Sequence, residues 1–352
     1  MAWSGVIAHY RERLDIAHHV APVTLLEGNT PLIPAPRLAD ALGGGFELFL
    51  KYEGLNPTAS FKDRGMTTAI TQAVADGARA VICASTGNTA ASAAAYAARA
   101  GLTCVVLVPE GKIAAGKLAG ALSYGAQVIA INGNFDDALR MVREASRRAP
   151  IVLVNNINPA RLQGQKTAAF EICDVLGSAP DWLCLPVGNA GNITAYWMGF
   201  SEYHRDGLIA QRPRLLGAQA AGAAPIVHGR VFDKPETLAT AIRIGNPVRW
   251  QEALAALRES DGHITDVTDD EILNWHRLVA RLEGVFVEPA CAASLAAIAK
   301  GRREGWFDPR GQRVVCVMTG HGLKDPDTAM RSFAAPITIE PRLEALLEAV
   351  KL

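Results

Sequence analysis

The chain has 352 residues with 35 basic and 35 acidic side chains, so its formal charge is zero. A neutral balance without a Lys/Arg stripe excludes a nucleic-acid partner, and no uninterrupted apolar run approaches the roughly 18 residues of a membrane span. The length exceeds the roughly 250–300 residues at which single cores stop growing, which predicts two domains.

In chain order, MAWSGVIAHYRERLD carries charges and a His in its first fifteen residues, unlike a signal peptide, so the cytoplasm is expected. FELFLKYE near 46, RAVICAS near 79, TCVVLVPE near 103, QVIAI near 127 and IVLVN near 151 then read as buried strands. Between them MTTAITQAVADG, TAASAAAYAARAG, AAGKLAGALSYG and DDALRMVREASRRA read as helices, three of them closing on a Gly C-cap. Arg147-Arg148 ends the last of these, where positive charge suits the helix dipole. A second series follows, with DWLCLPV, a helix from about 193, RLLGAQA, further helices and RVVCVMT, and the boundary between the two series is expected in INPARLQG. Strand-helix alternation implies α/β architecture with mostly parallel sheets covered on both faces and a cleft between two units. PRLEALLEAVKL reads as a terminal helix packing on the surface. The six cysteines, at 83, 104, 173, 184, 291 and 316, form no C-x-x-C pair and sit mostly in apolar runs, so they read as buried free thiols rather than disulfides or a metal site.

Five segments carry chemistry. In NPTASFKDRGM a turn shaped by Pro57 and Ser60 leads to a helix beginning at Phe61, so Lys62 stands at the mouth of a sheet, where open α/β folds bind ligands. Position alone is equally consistent with a solvated helix start. In CASTGNTAAS, Ser85, Thr86, Gly87, Asn88 and Thr89 gather at a helix N-terminus, more polar groups than an ordinary cap requires. In LPVGNAGNITAYW, Gly188, Asn189, Ala190, Gly191 and Asn192 join a strand to a helix with the grammar of a phosphate cradle, or of a tight turn. The segment is neither a nucleotide P-loop nor G-x-G-x-x-G. In RVVCVMTGHGLKD the strand ends at Thr319, whose hydroxyl can point into a cleft, and His321 reads as a packing or orienting residue. In NNINPARLQGQKT, Asn155, Asn156, Arg161 and Lys166 offer anion contacts, although without further context a surface helix with solvated charges is the simpler reading.

Together these segments resemble the fold-type II pyridoxal-phosphate enzymes (tryptophan synthase β-like), and within them the threonine synthases of short bacterial type. EGNTPL, GLNPTASFKDRGM, CASTGNTAASAAAYAA, INPARLQGQKTAAFEI, PVGNAGNITAYW, ATAIRIGNP, EGVFVEPACAAS and TGHGLKDPDTA match in order from about 22 to 330. The resemblance implies two open twisted sheets flanked by helices, with residues 1–53 and 159–352 as a larger cofactor-binding domain and 54–158 as a smaller mobile one. It implies pyridoxal 5'-phosphate in a Schiff base with Lys62, its ring hydroxyl on Asn88, its phosphate in Gly188–Asn192 and its pyridine nitrogen on Thr319. A Thr hydroxyl cannot hold that nitrogen as a stable pyridinium, which suits eliminations and replacements better than transamination. Ser85, Thr86 and Thr89 would grip the substrate carboxylate, and Arg161 and Asn155 a substrate phosphate. No metal is implied. The implied reaction takes O-phospho-L-homoserine and water to L-threonine and phosphate by γ-elimination and β-addition, the last step of threonine biosynthesis. A threonine or serine dehydratase of the same fold, which needs no second phosphate pocket, is the alternative. A homodimer is expected, without activation by S-adenosylmethionine. Three departures from the family pattern, Asn156, Gln163 and Cys291, are expected to retune the phosphate pocket.

Overall fold

A computed structural model describes residues 2–110, 115–133, 135–332 and 336–350. Among these, ten strands form two sheets: β1 (Leu32–Pro34), β2 (Glu47–Tyr52), β3 (Ala80–Ala84), β4 (Thr103–Pro109), β5 (Gln127–Ile131), β6 (Ile151–Leu153), β7 (Trp182–Pro186), β8 (Arg214–Ala220), β9 (His263–Val267) and β10 (Arg313–Met318). The larger sheet has the order β1-β2-β10-β7-β8-β9. Only its β1–β2 pairing is antiparallel. The smaller sheet, β5-β4-β3-β6, is parallel throughout. All eight predicted strands form. The two that sequence patterning missed, β1 and β9, are edge strands of three and five residues with partly exposed side chains, too short and too polar to stand out.

Continuous apolar runs suit strands covered on both faces. In β10, Val314, Cys316 and Met318 enter a core beneath the Asp269–Glu283 and Ala292–Glu304 helices, while Val315 and Val317 enter the opposite core with the Pro159–Leu176 and Gly191–Arg205 helices. In β3 of the smaller sheet, Val81 and Cys83 face the Lys62–Ala75 and Asn88–Ala100 helices, and Ile82 and Ala84 face the Phe135–Arg148 helix. The glycines expected to end three helices do so in the left-handed region, at Gly77, Gly101 and Gly125. The helix predicted from AAGKLAGALSYG is present as Ala115–Ser123, its Ala114 lying outside the described residues. All six cysteines are buried and free. The Leu343–Val350 helix forms but has no buried residue, so the surface packing expected of it is not observed; Lys351 and Leu352 lie outside the described residues. No helix among the described residues is long and apolar enough to cross a membrane.

The Lys62–Ala75 helix and the Pro159–Leu176 helix cross in close contact. A Cβ on Gly164 would lie 1.7 Å from the Arg64 carbonyl oxygen, so only glycine permits this approach. Thirteen residues of the Pro159–Leu176 helix are buried, including Arg161 and Lys166, so the reading of it as a solvated surface helix fails. At the crossing Arg64 binds two carboxylates. Its Nε and Nη2 reach Glu53 at 2.6 and 2.8 Å, and its Nη1 and Nη2 reach Glu171 at 2.7 Å each. Lys51 donates to Glu171 at 2.7 Å and to the Thr30 carbonyl at the same distance. Two cations meet two anions, all buried.

Burial pulls the Glu171 carboxyl upward, but Arg64 and then Lys51 outweigh it and hold the group well below the usual carboxylate range. A depressed folded pKa contributes stability that is complete above the unfolded value and fades as pH falls toward the folded one. Glu171→Gln is therefore expected to cost about 3–5 kcal/mol at neutral pH, the usual penalty for breaking a buried pair. The gap from wild type should narrow below about pH 4.3, the ordinary Glu value. Denaturant unfolding at pH 7 and near pH 3.5 reads both effects, and an unchanged gap would show that the charge on Glu171 contributes nothing.

Candidate active site

The site lies where the carboxyl ends of β10, β7, β3 and β6 converge, the position at which open α/β sheets bind ligands. Lys62 is the first residue of its helix. The preceding turn is sewn to the end of β10, with Phe61 N donating to the Thr319 carbonyl at 3.0 Å, Ser60 bridging Gly320, and His321 N donating to the Ala59 carbonyl at 3.0 Å. Behind Lys62, buried Asp63 accepts from Thr58 N at 2.6 Å and from the hydroxyls of Thr58 and Ser92 at 2.5 Å each. Lys62 itself forms no ion pair among the described residues. Its Nζ lies 4.0 Å from the Phe61 ring centroid, and the side chain stays partly open to solvent. Burial first, and then the charge of Arg161, bring its pKa down to about 7 against the opposing pull of Glu288.

Glu288 is the residue that sequence reading missed. It is buried and accepts from Asn88 Nδ2 at 3.0 and 3.3 Å and from Thr319 Oγ1 at 3.3 Å. Burial raises its pKa. Three predicted residues, Lys62, Asn88 and Thr319, are thus gathered around one carboxylate contributed by EGVFVEPACAAS. A Glu-Pro after an apolar run was the available signal. Cys291 also belongs here, its Sγ lying 3.4 Å from Thr319 Oγ1 and 3.4 Å from Gly320 N.

Ser85 to Thr89 are half-buried at the start of the Asn88–Ala100 helix. That helix is capped by Gly87 without a side-chain cap bond, so the hydroxyls of Thr86 and Thr89 are not spent on capping; Ser85 Oγ accepts from Gly87 N at 3.2 Å. Asn155 pairs with the backbone of Ala84, accepting from its N and donating to its O at 2.9 Å each, which uses one of its two amide N–H groups.

The 188–192 turn follows β7. Ala190 takes a left-handed φ of 62°, and the Gly191–Arg205 helix begins with no side-chain cap, so its first N–H groups remain available to a ligand. A Cβ on Gly191 would lie 2.1 Å from Asn156 Oδ1. Asn156 Nδ2 donates to the Asn189 carbonyl at 3.0 Å, and Asn189 Oδ1 accepts from Val248 N at 2.9 Å. Asn192 Nδ2 is buried with no partner, as is Ser60 Oγ. Free donors, an uncapped helix start and a glycine without room for a Cβ fit a bound phosphate.

Arg161 is 1% exposed, donates from Nη1 to the Val154 carbonyl at 3.2 Å, and leaves Nε and Nη2 buried without partners. Burial lowers its pKa to about 10. Lys166, by contrast, is consumed by Glu202 at 2.6 Å. Gln163 accepts from Asp15 N at 3.2 Å in an exposed contact with the N-terminal segment, and no contact of its side chain with the residues of the site is observed, so the expected retuning by Gln163 is not supported. His321 caps a short turn by accepting from Leu323 N at 3.1 Å and stacks on Tyr52 at 6.1 Å.

A family model described as "Pyridoxal-phosphate dependent enzyme" matches residues 23–320. The chain is 58% identical to threonine synthase of Synechocystis sp. over 99% of its length and 91% of that protein. It is 59% identical to threonine synthase of Mycobacterium leprae over 96% and 94%. A structure titled as maize serine racemase shares the fold, with a TM-score of 0.74 at 20% identity, covering 94% of this chain and 97% of that one. A family match across most of the sequence and relatives more than half identical over nearly all of it place this chain among the pyridoxal-phosphate-dependent enzymes of fold type II, in the threonine synthase branch.

Proposed function

We propose that the chain is a threonine synthase that converts O-phospho-L-homoserine and water to L-threonine and phosphate, with pyridoxal 5'-phosphate as cofactor. The observation that carries this reading is Arg161, whose buried Nε and Nη2 have no protein partner and whose charge acts on Lys62. A dehydratase acting on plain Ser or Thr has no use for such a donor, and the resemblance to a threonine deaminase structure, at 24% identity, concerns the fold alone.

Lys62 is the proposed attachment point of the cofactor, Gly188 to Asn192 hold its phosphate, and Asn88 and Thr319 face its ring. Bound there, the cofactor supplies an electron sink for carbanions at Cα and Cβ of the substrate. The residues of the chain do the rest. Once freed by the incoming amino acid, the Lys62 amine takes the Cα proton, a task that needs a neutral amine near pH 7. Ser85, Thr86 and Thr89 orient the substrate carboxylate at the helix start. Arg161 holds the substrate phosphate, positions Cγ for its departure and balances the charge that develops on it. With one N–H and its carbonyl oxygen on the Ala84 backbone, Asn155 fixes the 84–86 turn and keeps its second amide N–H to offer to the phosphate. Residues 54–158 are assigned as the smaller, mobile domain over this cleft, and the working form as a cytoplasmic homodimer; sedimentation of the holoenzyme tests the dimer.

Supplied with O-phospho-L-homoserine, the holoenzyme is expected to release phosphate and threonine in equal amounts. 2-Oxobutyrate or pyruvate from unphosphorylated Thr or Ser would favour the dehydratase. Arg161→Ala should lower kcat/KM on the phosphorylated substrate by about a hundredfold or more, the scale of a lost charge-assisted contact of about 3 kcal/mol. Its cofactor absorbance should persist, and equal loss of cofactor and activity would reassign Arg161. Because the Lys62 pKa is lowered, its amine is neutral above about pH 7. Uptake of pyridoxal phosphate by the apoprotein should therefore quicken up to about that pH and then level off. An uptake rate still climbing toward pH 10 would mean that Lys62 behaves as an ordinary lysine.

A further inference from the structure

An open cavity of about 830 Å³ lies between the Phe135–Arg148 helix and the segment Asn246-Pro247-Val248. Arg140, Arg143 and Arg147 line its helical wall, spaced three and four residues apart and hence on one side of the helix, with Leu139, Glu144 and Arg148 beside them. The opposite side of the helix is anchored in the core through Ala138 and Val142. Arg140 is neutralised by Asp137 at 3.1 Å, and Arg148 by Glu144. Arg143 and Arg147 have no carboxylate partner among the described residues, and Arg143 Nε is shielded from solvent with nothing to donate to. Favourable placement at the helix C-terminus accounts for Arg147 and Arg148. It does not account for Arg143, more than a turn earlier.

The facing wall leads directly to the phosphate-binding turn. Val248 N donates to Asn189 Oδ1 at 2.9 Å, and Arg249 Nε donates to the Asn156 carbonyl at 3.0 Å. We propose that Arg143 and Arg147 form an outer anion site at the mouth of the cleft, which collects phosphomonoester dianions and passes them inward to Arg161. This rests on the functional reading above, because only a phosphorylated substrate or a phosphate product gives such a site a purpose. A walled site with a surplus of one charge, here four arginines against Glu144, raises the local concentration of an oppositely charged ligand and its association rate, and salt screens the effect.

The test uses the holoenzyme and the double variant Arg143→Gln/Arg147→Gln, with Arg148→Gln as the paired-charge control. The double variant should keep wild-type kcat and cofactor absorbance while losing about tenfold in kcat/KM for O-phospho-L-homoserine at low ionic strength, the lower end of steering effects. Its kcat/KM should depend less on salt than that of wild type. Calorimetric titration with inorganic phosphate should show two sites on wild type and one on the double variant, which separates a free-anion site from one that needs the whole substrate. A loss of kcat/KM with a single phosphate site on both proteins would support a site specific to the organic phosphate. Unchanged kcat/KM and salt dependence would overturn the proposal, as would equal losses in the Arg148→Gln control. If wild type does not turn over the substrate at all, the functional reading fails instead, and the phosphate titration alone decides the outer site, two sites supporting it and one overturning it.

Discussion

The guanidinium of Arg64, clamped between Glu53 and Glu171, is the interaction on which the rest of the structure depends. Glu53 follows the central part of the larger sheet, Glu171 lies on the helix packed over it, and Arg64 stands in the first turn of the helix that enters the smaller sheet. Each bidentate contact fixes direction as well as distance. Desolvating four charges is costly and is offset only when every lone pair and proton finds a partner. Thr30 and Thr167 supply the remaining ones, at 3.1 and 3.2 Å. With Asp63 held by Thr58 and Ser92, two consecutive side chains anchor the helix start. Lys62, one residue earlier, can then be left without an ionic partner among the described residues and largely, though not wholly, withdrawn from solvent. An unpaired lysine in a loosely held turn would swing to water and regain its ordinary basicity. Here the anchoring of its neighbours keeps its pKa down.

Charge around the cleft is arranged by the same logic. Uncapped helix starts at 88 and 191 and the free Nε and Nη2 of Arg161 present positive potential at three places, suited to more than one anionic group. Glu288 is the counterweight. It lies where Lys62, Asn88 and Thr319 meet, is raised by burial, and in turn limits how far the Lys62 pKa falls. Asn88 and Thr319 both donate to it, so a ring held by the same two residues would share those donors with Glu288.

Local patterns made much of this legible. Short continuous apolar runs marked eight strands, glycines marked helix ends, and the polar residues after β3 and β7 marked the candidate ligand turns. What stayed hidden depends on partners far apart in sequence. Arg64 reads as an ordinary charge until Glu171, 107 residues away, is placed beside it. Glu288 acquires meaning only 200 residues from Asn88. The Pro159–Leu176 helix carries Arg, Gln and Lys at intervals that suggest a wet surface, and it is buried because those groups turn toward the Gly191–Arg205 helix and the cleft. Buried polar contacts of this kind leave no periodic trace, since each is specified by a single distant residue.

The departures at 156 and 291 acquire physical content from the same geometry. Asn156 rests in the space that a Cβ on Gly191 would fill and holds the Asn189 carbonyl, so its longer side chain reaches the cradle backbone, which a serine there would not. Cys291 Sγ and Glu288 Oε1 both lie within hydrogen-bond reach of the Thr319 hydroxyl, at 3.4 and 3.3 Å. A thiol is a weaker donor and acceptor than a serine hydroxyl, and burial raises the Cys291 pKa to about 12, which keeps it neutral. Serine at 291 would compete with Glu288 for the Thr319 proton. Cysteine leaves that proton to Glu288, so the orientation of the Thr319 hydroxyl is set by a carboxylate that also feels Lys62. In the reading proposed above, where Thr319 would meet the ring nitrogen of the cofactor, Glu288 would act on that ring through the Thr319 hydroxyl.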